Sequence, residues 1–197
     1  GQKAFCLCSS LTKVTIPSSI TSIGMNAFQE CTSLNQVKIL GNITIIECYL
    51  FVCCSSIKEL TIPPSVTIIG NKAFGDCSSL QNINIPSSVV SIGHSAFMNC
   101  SSLTLFEVPS SITHIEKYTF YGCSSLKEVI IPPSLTSIGE STFEQCSSIE
   151  KIIIPSSVKE IGRFAFKNCT SLKEIETSSK ISLGAGCFDK CPNLKKK

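Results

Sequence analysis

The sequence predicts an α/β solenoid, in which about eight copies of a 23-residue unit stack into one coil over residues 1–197. Three observations predict this fold. Cysteine recurs at a fixed interval, phenylalanine recurs at the same interval, and a short β-branched alternation is followed by proline in most copies. A unit of this length cannot bury its apolar side alone, so each copy is expected to pack against its neighbours.

Nine cysteines and nine phenylalanines set the length of the repeat. In both series the interval is 23 residues at every step except the last, where it is 22. A solenoid stacks equivalent residues of successive coils on top of each other. We therefore expect two continuous buried columns, formed by Cys8, Cys31, Cys54, Cys77, Cys100, Cys123, Cys146, Cys169 and Cys191, and by Phe5, Phe28, Phe51, Phe74, Phe97, Phe120, Phe143, Phe166 and Phe188.

The first half of each copy predicts one short parallel strand. In Ile83-Asn84-Ile85 the apolar residues alternate with a polar one, which places one side of the strand against the core. Proline follows at once and donates no backbone hydrogen bond, so it is expected to end the strand ladder. Because every coil travels in the same direction, neighbouring strands should be parallel. The prolines are Pro17, Pro63, Pro86, Pro109, Pro132 and Pro155.

The second half of each copy predicts a short helical or 3-10 turn on the side of the coil opposite the strand. Ala96, Phe97, Cys100 and Leu103 stand at i, i+1, i+4 and i+7. That spacing fits one face of one or two helical turns. The apolar pair that precedes it in each copy is spaced by three residues, which predicts extended or turn-like backbone there.

A glycine column runs between these two segments, but it is not strict. Glu47 and Glu116 stand where six other copies have glycine. A position that required positive φ would rarely accept glutamate. We therefore expect glycine to be convenient there for a tight bend but not indispensable.

Ten of the thirteen cysteines are expected to be buried, inert thiols: the nine of the column and Cys187, which falls in the alanine column. Cys6, Cys48 and Cys53 fall in polar columns and are expected to be exposed. Exposed free thiols are uncommon in an oxidising environment, so these three indicate either a reducing compartment or a local disulfide such as Cys48–Cys53. No Cys-x-x-Cys pair occurs, and a linear stack of thiols cannot surround a tetrahedral ion, so no metal site is predicted.

Composition and motifs argue against several classes of function. The net charge of +3 is too small to indicate nucleic-acid binding. No apolar run approaches the about 20 residues that cross a bilayer, so membrane insertion is not predicted. The two histidines, His94 and His114, lack triad partners, and no phosphate-binding loop or paired-carboxylate cluster occurs. We predict a protein without enzymatic activity and without a cofactor.

A candidate contact surface lies on the outward positions of the predicted strands, which solenoids commonly use for binding. Most of these positions are polar, but three consecutive copies carry apolar residues. Such a cluster rimmed by charge is typical of a contact patch. Two alternatives remain: strand-forming residues tolerated on a sheet, or a surface covered by the rest of a longer protein. The candidate residues are Leu105, Glu107, Glu128, Ile130, Lys151 and Ile153.

Three acceptor patterns for N-glycosylation occur, at Asn42, Asn99 and Asn168. Asn99 and Asn168 fall in a column that is polar in most copies, so they are expected to be exposed. The patterns favour a secreted or cell-surface protein.

The repeat contains segments such as Ile85-Pro86-Ser87-Ser88-Val89, Ile92-Gly93, Ala96-Phe97 and Cys100-Ser101-Ser102-Leu103. In these segments, and over nearly the whole chain, it resembles the BspA-like class of leucine-rich repeats, also called the Treponema pallidum type. The resemblance implies a right-handed β-α superhelix and a surface or secreted location, and some relatives are adhesins that engage host matrix proteins. It brings no catalytic residues.

The leading hypothesis is a non-enzymatic repeat module that binds a protein partner through the strand side, as a cell-surface or secreted adhesion protein; a host matrix or surface protein would be such a partner. The alternative is an intracellular scaffold or signalling protein of the same fold. A third hypothesis is the non-catalytic part of a larger enzyme. The chain starts and stops in mid-repeat, so we expect it to be a fragment of a longer protein.

Overall fold

The computed structural model describes residues 1–177 and 180–195. The predicted single solenoid, 1–197, thus includes four residues that lie outside the described ones. Over the described part the chain forms a parallel β-solenoid. The first strand begins at Lys13 and its equivalent seven turns later begins at Glu174, so that each turn takes 23 residues.

Most coils contribute two strands, where the sequence predicted one. The longer strands have three or four residues and follow the cysteine column, whereas the shorter ones have two residues and precede the turn segment described below. In chain order the strands are β1 (Lys13–Ile16), β2 (Gln36–Ile39), β3 (Ile45–Ile46), β4 (Glu59–Thr61), β5 (Ile68–Ile69), β6 (Asn82–Asn84), β7 (Ser91–Ile92), β8 (Leu105–Glu107), β9 (His114–Ile115), β10 (Glu128–Ile130), β11 (Ser137–Ile138), β12 (Lys151–Ile154), β13 (Glu160–Ile161), β14 (Glu174–Thr177) and β15 (Ser182–Leu183).

Neighbouring strands are parallel and in register, as predicted. The longer strands pair as β1 with β2, β4 with β6, β8 with β10, and β12 with β14. The shorter strands form the runs β3-β5-β7 and β9-β11-β13-β15. Each residue lies beside the residue 23 positions later, for example Val14 beside Val37. The two residue pairs between β13 and β15, Glu160 with Ser182 and Ile161 with Leu183, use a 22-residue step.

Proline limits the ladder of the longer strands, as predicted. Where the second copy has Leu40 in place of proline, its amide donates to the Ile16 carbonyl at 2.9 Å and extends the pairing by one bond. Proline has no amide hydrogen, so it cannot make this bond in the copies that contain it.

The predicted helical or 3-10 turns are wrong, and with them the α/β class, because the described residues contain no helix. A turn segment of six residues occupies that place in each coil. The amides of Lys72, Phe74 and Asp76 donate to carbonyls of the next coil at 3.0, 2.9 and 2.7 Å, whereas those of Ala73 and Gly75 donate three residues back at 3.3 and 3.1 Å. In a helix the backbone amides would donate hydrogen bonds within the segment. In this segment every second amide donates to the neighbouring coil instead.

Two residues of each turn segment adopt the left-handed backbone. In the coil around Phe74 they are Lys72, with φ of +50°, and Asp76, with φ of +60°. Each is the third residue of a hydrogen-bonded turn, where a type II turn requires positive φ. The left-handed conformation costs a residue other than glycine about 1–2 kcal/mol. The hydrogen bonds to neighbouring coils must therefore stabilise it. The conformation recurs at Lys3, Leu7, Asn26, Glu30, Tyr49, Cys53, Ser95, Asn99, Tyr118, Gly122, Ser141, Gln145, Phe164, Asn168, Gly186 and Lys190.

The glycines of this column lie outside the left-handed positions, so their backbone angle does not require glycine. The expectation that glycine is only convenient for a bend is incomplete, because these glycines lie where two coils approach closely. A Cβ at Gly139 would lie 2.6 Å from the backbone nitrogen of Lys117 and 2.8 Å from the carbonyl carbon of Glu116. The column therefore fixes how tightly successive coils pack.

The two predicted columns form the core. Successive phenylalanine rings are nearly parallel, with centroids 5.2–5.8 Å apart and planes within 18°. Phe106 adds an edge-on contact to Phe120 at 4.6 Å. In the first coil Phe5 is 47% exposed, because the stack covers it from one side only.

Replacing Gly139 with alanine is expected to destabilise the solenoid by about 1–3 kcal/mol, because backbone atoms would have to move apart to admit the methyl group. Gly75→Ala is the matched control: its Cβ would meet nothing nearer than 3.5 Å. Urea unfolding followed by circular dichroism measures both. Equal free energies of unfolding for the two variants would contradict the role assigned to the glycine column.

Candidate binding face

The outward side chains of the longer strands form a surface that we call the strand face. It has two positions in each coil, and all of these side chains are exposed, as expected for outward positions, except Glu176, which is half-buried. In the first column they are Lys13, Gln36, Glu59, Asn82, Leu105, Glu128, Lys151 and Glu174; in the second, Thr15, Lys38, Thr61, Asn84, Glu107, Ile130, Ile153 and Glu176.

The six candidate residues lie together on β8, β10 and β12, and we call them the apolar–acidic patch: Leu105, Glu107, Glu128, Ile130, Lys151 and Ile153. Leu105, Ile130 and Ile153 are 42%, 44% and 58% exposed. In the pairing of β8 with β10, Glu128 lies beside Leu105 and Ile130 lies beside Glu107. Each of these carboxylates therefore borders an apolar side chain.

The one cation of the patch is already paired. The Lys151 Nζ lies 2.6 Å from a Glu176 carboxylate oxygen and 3.9 Å from one of Glu174. The hydrogen bond to Glu176 raises the pKa of Lys151, although the pair is open to water. Among the described residues, Glu107 and Glu128 form no ion pair. The sequence predicted Lys151 on this face but carried no signal for its pairing with Glu176, which lies two residues beyond its in-register neighbour Glu174.

Two hollows flank the patch, and neither was visible in the sequence. One, of about 390 Å³, lies where β6, β8 and β10 end; Glu107, Ile130 and Pro109 are among its lining residues. The other, of about 540 Å³, lies over β1, β2, β4 and β6, and its lining mixes polar residues such as Lys38 and Asn82 with apolar ones such as Val37 and Leu60. By its outward side chains the face has a polar half on β1, β2, β4 and β6 and an apolar–acidic half on β8, β10, β12 and β14.

The cysteine column lies in the core, where its thiols bridge neighbouring coils. The Cys100 thiol donates to the Phe74 carbonyl at 3.2 Å. The same bond, at 3.0–3.2 Å, joins Cys31 to Phe5, Cys54 to Phe28, Cys77 to Phe51, Cys123 to Phe97, Cys146 to Phe120, Cys169 to Phe143, and Cys191 to Phe166. Burial raises the pKa of Cys54 and of Cys123 to about 12, which keeps both as inert thiols near neutral pH.

Thiol burial differs from the prediction in five places. Eight cysteines are buried rather than ten, because Cys8 is exposed and Cys191 is half-buried in the first and last coils. Cys6, Cys48 and Cys53 are half-buried rather than exposed. The proposed Cys48–Cys53 disulfide is absent, because all thirteen cysteines are free. The Cys48 sulfur instead accepts a hydrogen bond from the backbone amide of Asn71 at 3.3 Å.

Two of the three glycosylation candidates also differ from expectation. Asn99 and Asn168 are half-buried rather than exposed. Both adopt positive φ in a turn segment, and the Asn99 side-chain amide donates to Asp76 at 2.8 Å. Asn42 is exposed, at an irregular bend where the second copy lacks proline.

Within residues 1–177 and 180–195, no helix has the length and apolar character needed to span a bilayer. Over the same residues, no group of three or more histidine, cysteine or acidic side chains is arranged to hold a metal ion.

Comparison with known proteins agrees with this geometry. A family model described as BspA type leucine rich repeat region matches residues 1–117 and again residues 90–197. A leucine-rich repeat protein from Bacteroides ovatus is 30% identical with a TM-score of 0.82, over 99% of this chain and 57% of that one. The T. pallidum leucine-rich repeat protein is 29% identical with a TM-score of 0.77, over 93% and 78%.

A leucine-rich cell surface protein from Faecalibacterium prausnitzii is 29% identical with a TM-score of 0.63, over 91% of this chain and 69% of that one. No curated protein matches the chain. The chain thus spans little more than half the length of the Bacteroides protein.

The parallel coil and its open strand face define a leucine-rich repeat solenoid, a class that typically binds proteins and is not enzymatic. The chain belongs to the BspA-type leucine-rich repeat family, as the repeat pattern indicated. No catalytic family is indicated by the comparisons.

Thiol labelling tests the revised cysteine assignment. Maleimide at neutral pH is expected to modify at most the five thiols of Cys6, Cys8, Cys48, Cys53 and Cys191 in the native protein, and all thirteen after unfolding. Mass spectrometry counts the adducts. Cys8→Ser should lower the native count by one, whereas Cys100→Ser should lower only the unfolded count. Rapid labelling of all thirteen sites in the native state would overturn the buried column.

Proposed function

We propose that this chain is a non-enzymatic protein-binding module that holds its partner on the apolar–acidic patch. The observation that carries the proposal is the run of Leu105, Ile130 and Ile153, which stay exposed in three consecutive coils of a face whose other outward side chains are polar. Burying apolar surface is worth about 25 cal/mol per Å², so these side chains favour a contact that covers them. The charged rim around them is typical of a binding patch.

The stack also explains why the patch suits recognition. Solenoid coils present outward side chains on a regular lattice, with strands about 4.8 Å apart. The backbone beneath the patch is held by pairing on β8, β10 and β12. A partner therefore meets a preformed surface and orders few groups when it binds.

Replacing Ile130 and Ile153 together with glutamate tests the patch. Peptides selected from a random display library on the native chain are expected to bind this variant at least about tenfold more weakly, because the buried apolar contact is replaced by charge. Thr15→Glu with Thr61→Glu is the matched control, since it adds the same charges to the same column outside both the patch and the hollow beside Glu107. Circular dichroism verifies folding. Peptides that bind both variants equally well would rule the patch out.

We also propose a cell-surface or secreted location, where the partner is a matrix or surface protein of a host. The support is family membership and the likeness to the F. prausnitzii protein, which is described as a cell surface protein. An intracellular scaffold is the second candidate. The thirteen free cysteines favour it, because free thiols persist most readily in reducing compartments.

Antibody labelling of intact cells of the source organism separates these two locations. A surface protein is expected to be labelled without permeabilisation, as is a known surface marker, while a cytosolic marker stays dark. Labelling that appears only after permeabilisation would favour the intracellular scaffold instead.

Among the three acceptor asparagines, we propose Asn42 as the one open to glycosylation in a secretory pathway. It is exposed at an irregular bend, whereas Asn99 already hydrogen-bonds Asp76 and lies, like Asn168, half-buried in a turn segment.

A further inference from the structure

We infer that the partner of the apolar–acidic patch presents a basic, partly apolar polypeptide segment, with one lysine or arginine side chain seated in the hollow beside Glu107. This inference rests on the proposed function, because it concerns the occupant of the same patch. It is carried by the charge of the face, the pairing of Lys151, and the shape of the hollow.

Charge on the strand face is divided between its two halves. The half on β1, β2, β4 and β6 carries Lys13, Lys38 and Glu59 at its outward positions, a sum of +1. The half on β8, β10, β12 and β14 carries four glutamates and one lysine, Glu107, Glu128, Glu174, Glu176 and Lys151, a sum of −3. The whole chain has a net charge of +3, so this half opposes the sign of the molecule. Its local field attracts a cationic partner and repels an anionic one.

The ion pairs decide which carboxylates remain available. Lys151 is held by Glu174 and Glu176 on β14, at the edge of the patch. Glu107 and Glu128 have no cation within 4.0 Å among the described residues, and both are exposed. The two carboxylates next to the exposed leucine and isoleucine are therefore the ones that a partner's cations can reach.

The hollow of about 390 Å³ can hold one of the partner's cationic side chains. Its lining combines the carboxylate residue Glu107 with apolar surface from Ile130, Val108, Pro109 and Pro132. Lysine and arginine bury an aliphatic stem while keeping the charged head in a polar setting. In this hollow the stem would lie on isoleucine and proline, and the head would reach Glu107. An acidic side chain would leave the Glu107 carboxylate without a cation. A purely polar side chain would leave the apolar lining of the hollow uncovered.

The test uses three eight-residue peptides, which alternate Lys with Val, Glu with Val, and Lys with Ser. The Lys–Val peptide is expected to bind the native chain at least about tenfold more tightly than the other two in fluorescence anisotropy. Raising the salt from about 50 to about 500 mM should weaken it at least about fivefold, because exposed charges are screened.

Variants then locate the effect. Glu107→Gln with Glu128→Gln is expected to weaken Lys–Val binding about tenfold, with the larger share from Glu107→Gln alone because of the hollow. Glu59→Gln removes a charge from the polar half and should change the affinity less than about twofold. An equal loss for Glu59→Gln would show attraction without a defined site and would overturn the inference.

The outcomes separate the two proposals. If the selected library peptides depend on Ile130 and Ile153 but are not basic, and the Lys–Val peptide does not bind, this inference is wrong and the proposed function stands. If no selected peptide depends on the patch, the proposed function itself fails. Lys–Val binding that Glu107→Gln with Glu128→Gln leaves unchanged also overturns the inference, because the contact then lies elsewhere.

Discussion

The 23-residue register between coils is the constraint on which the rest of the structure depends. It is enforced by backbone hydrogen bonds on three sides of each coil: the longer strands, the shorter strands, and the turn segment, where every second amide donates to the next coil. These groups cannot all be satisfied unless equivalent residues lie side by side. The last coil is one residue shorter than the others. It is accommodated between Ile161 and Leu183, where each strand contributes only two paired residues.

The register also determines which residues can occupy the core. Two coils approach so closely at Gly139 that a Cβ would meet backbone atoms of the preceding coil. Aromatic rings at this spacing stack nearly parallel, with centroids 5.2–5.8 Å apart. A thiol fits beside them because it is small, is cheaper to dehydrate than a hydroxyl, and can still donate to a carbonyl of the neighbouring coil. Cysteine is thus a packing residue that also links coils.

Periodicity predicted the columns, the parallel strands and the outward positions correctly, because those follow from the repeat length alone. It could not predict the backbone of the turn segment. The spacing of Ala96, Phe97 and Cys100 suits a helix, but it equally suits successive turns in which Ser95 and Asn99 are left-handed. Apolar spacing records which side chains face the core and carries no information on φ. The pairing of Lys151 with Glu176 and the depth of the hollow beside Glu107 arise between coils, so one copy of the repeat cannot show them.

The outward positions of the strand face are free of these constraints, and this freedom is what allows one repeat to carry different surfaces. The core columns must repeat in every coil, whereas the same outward column holds Asn84 on β6 and Ile130 on β10. Two variable residues in each coil therefore set the chemistry of the face. In the apolar–acidic patch the two kinds of residue have separate effects: the apolar side chains supply area to bury, while Glu107 and Glu128 attract a cationic partner and discriminate between partners by the sign of their charge. Selectivity then depends on carboxylates that the fold itself does not need.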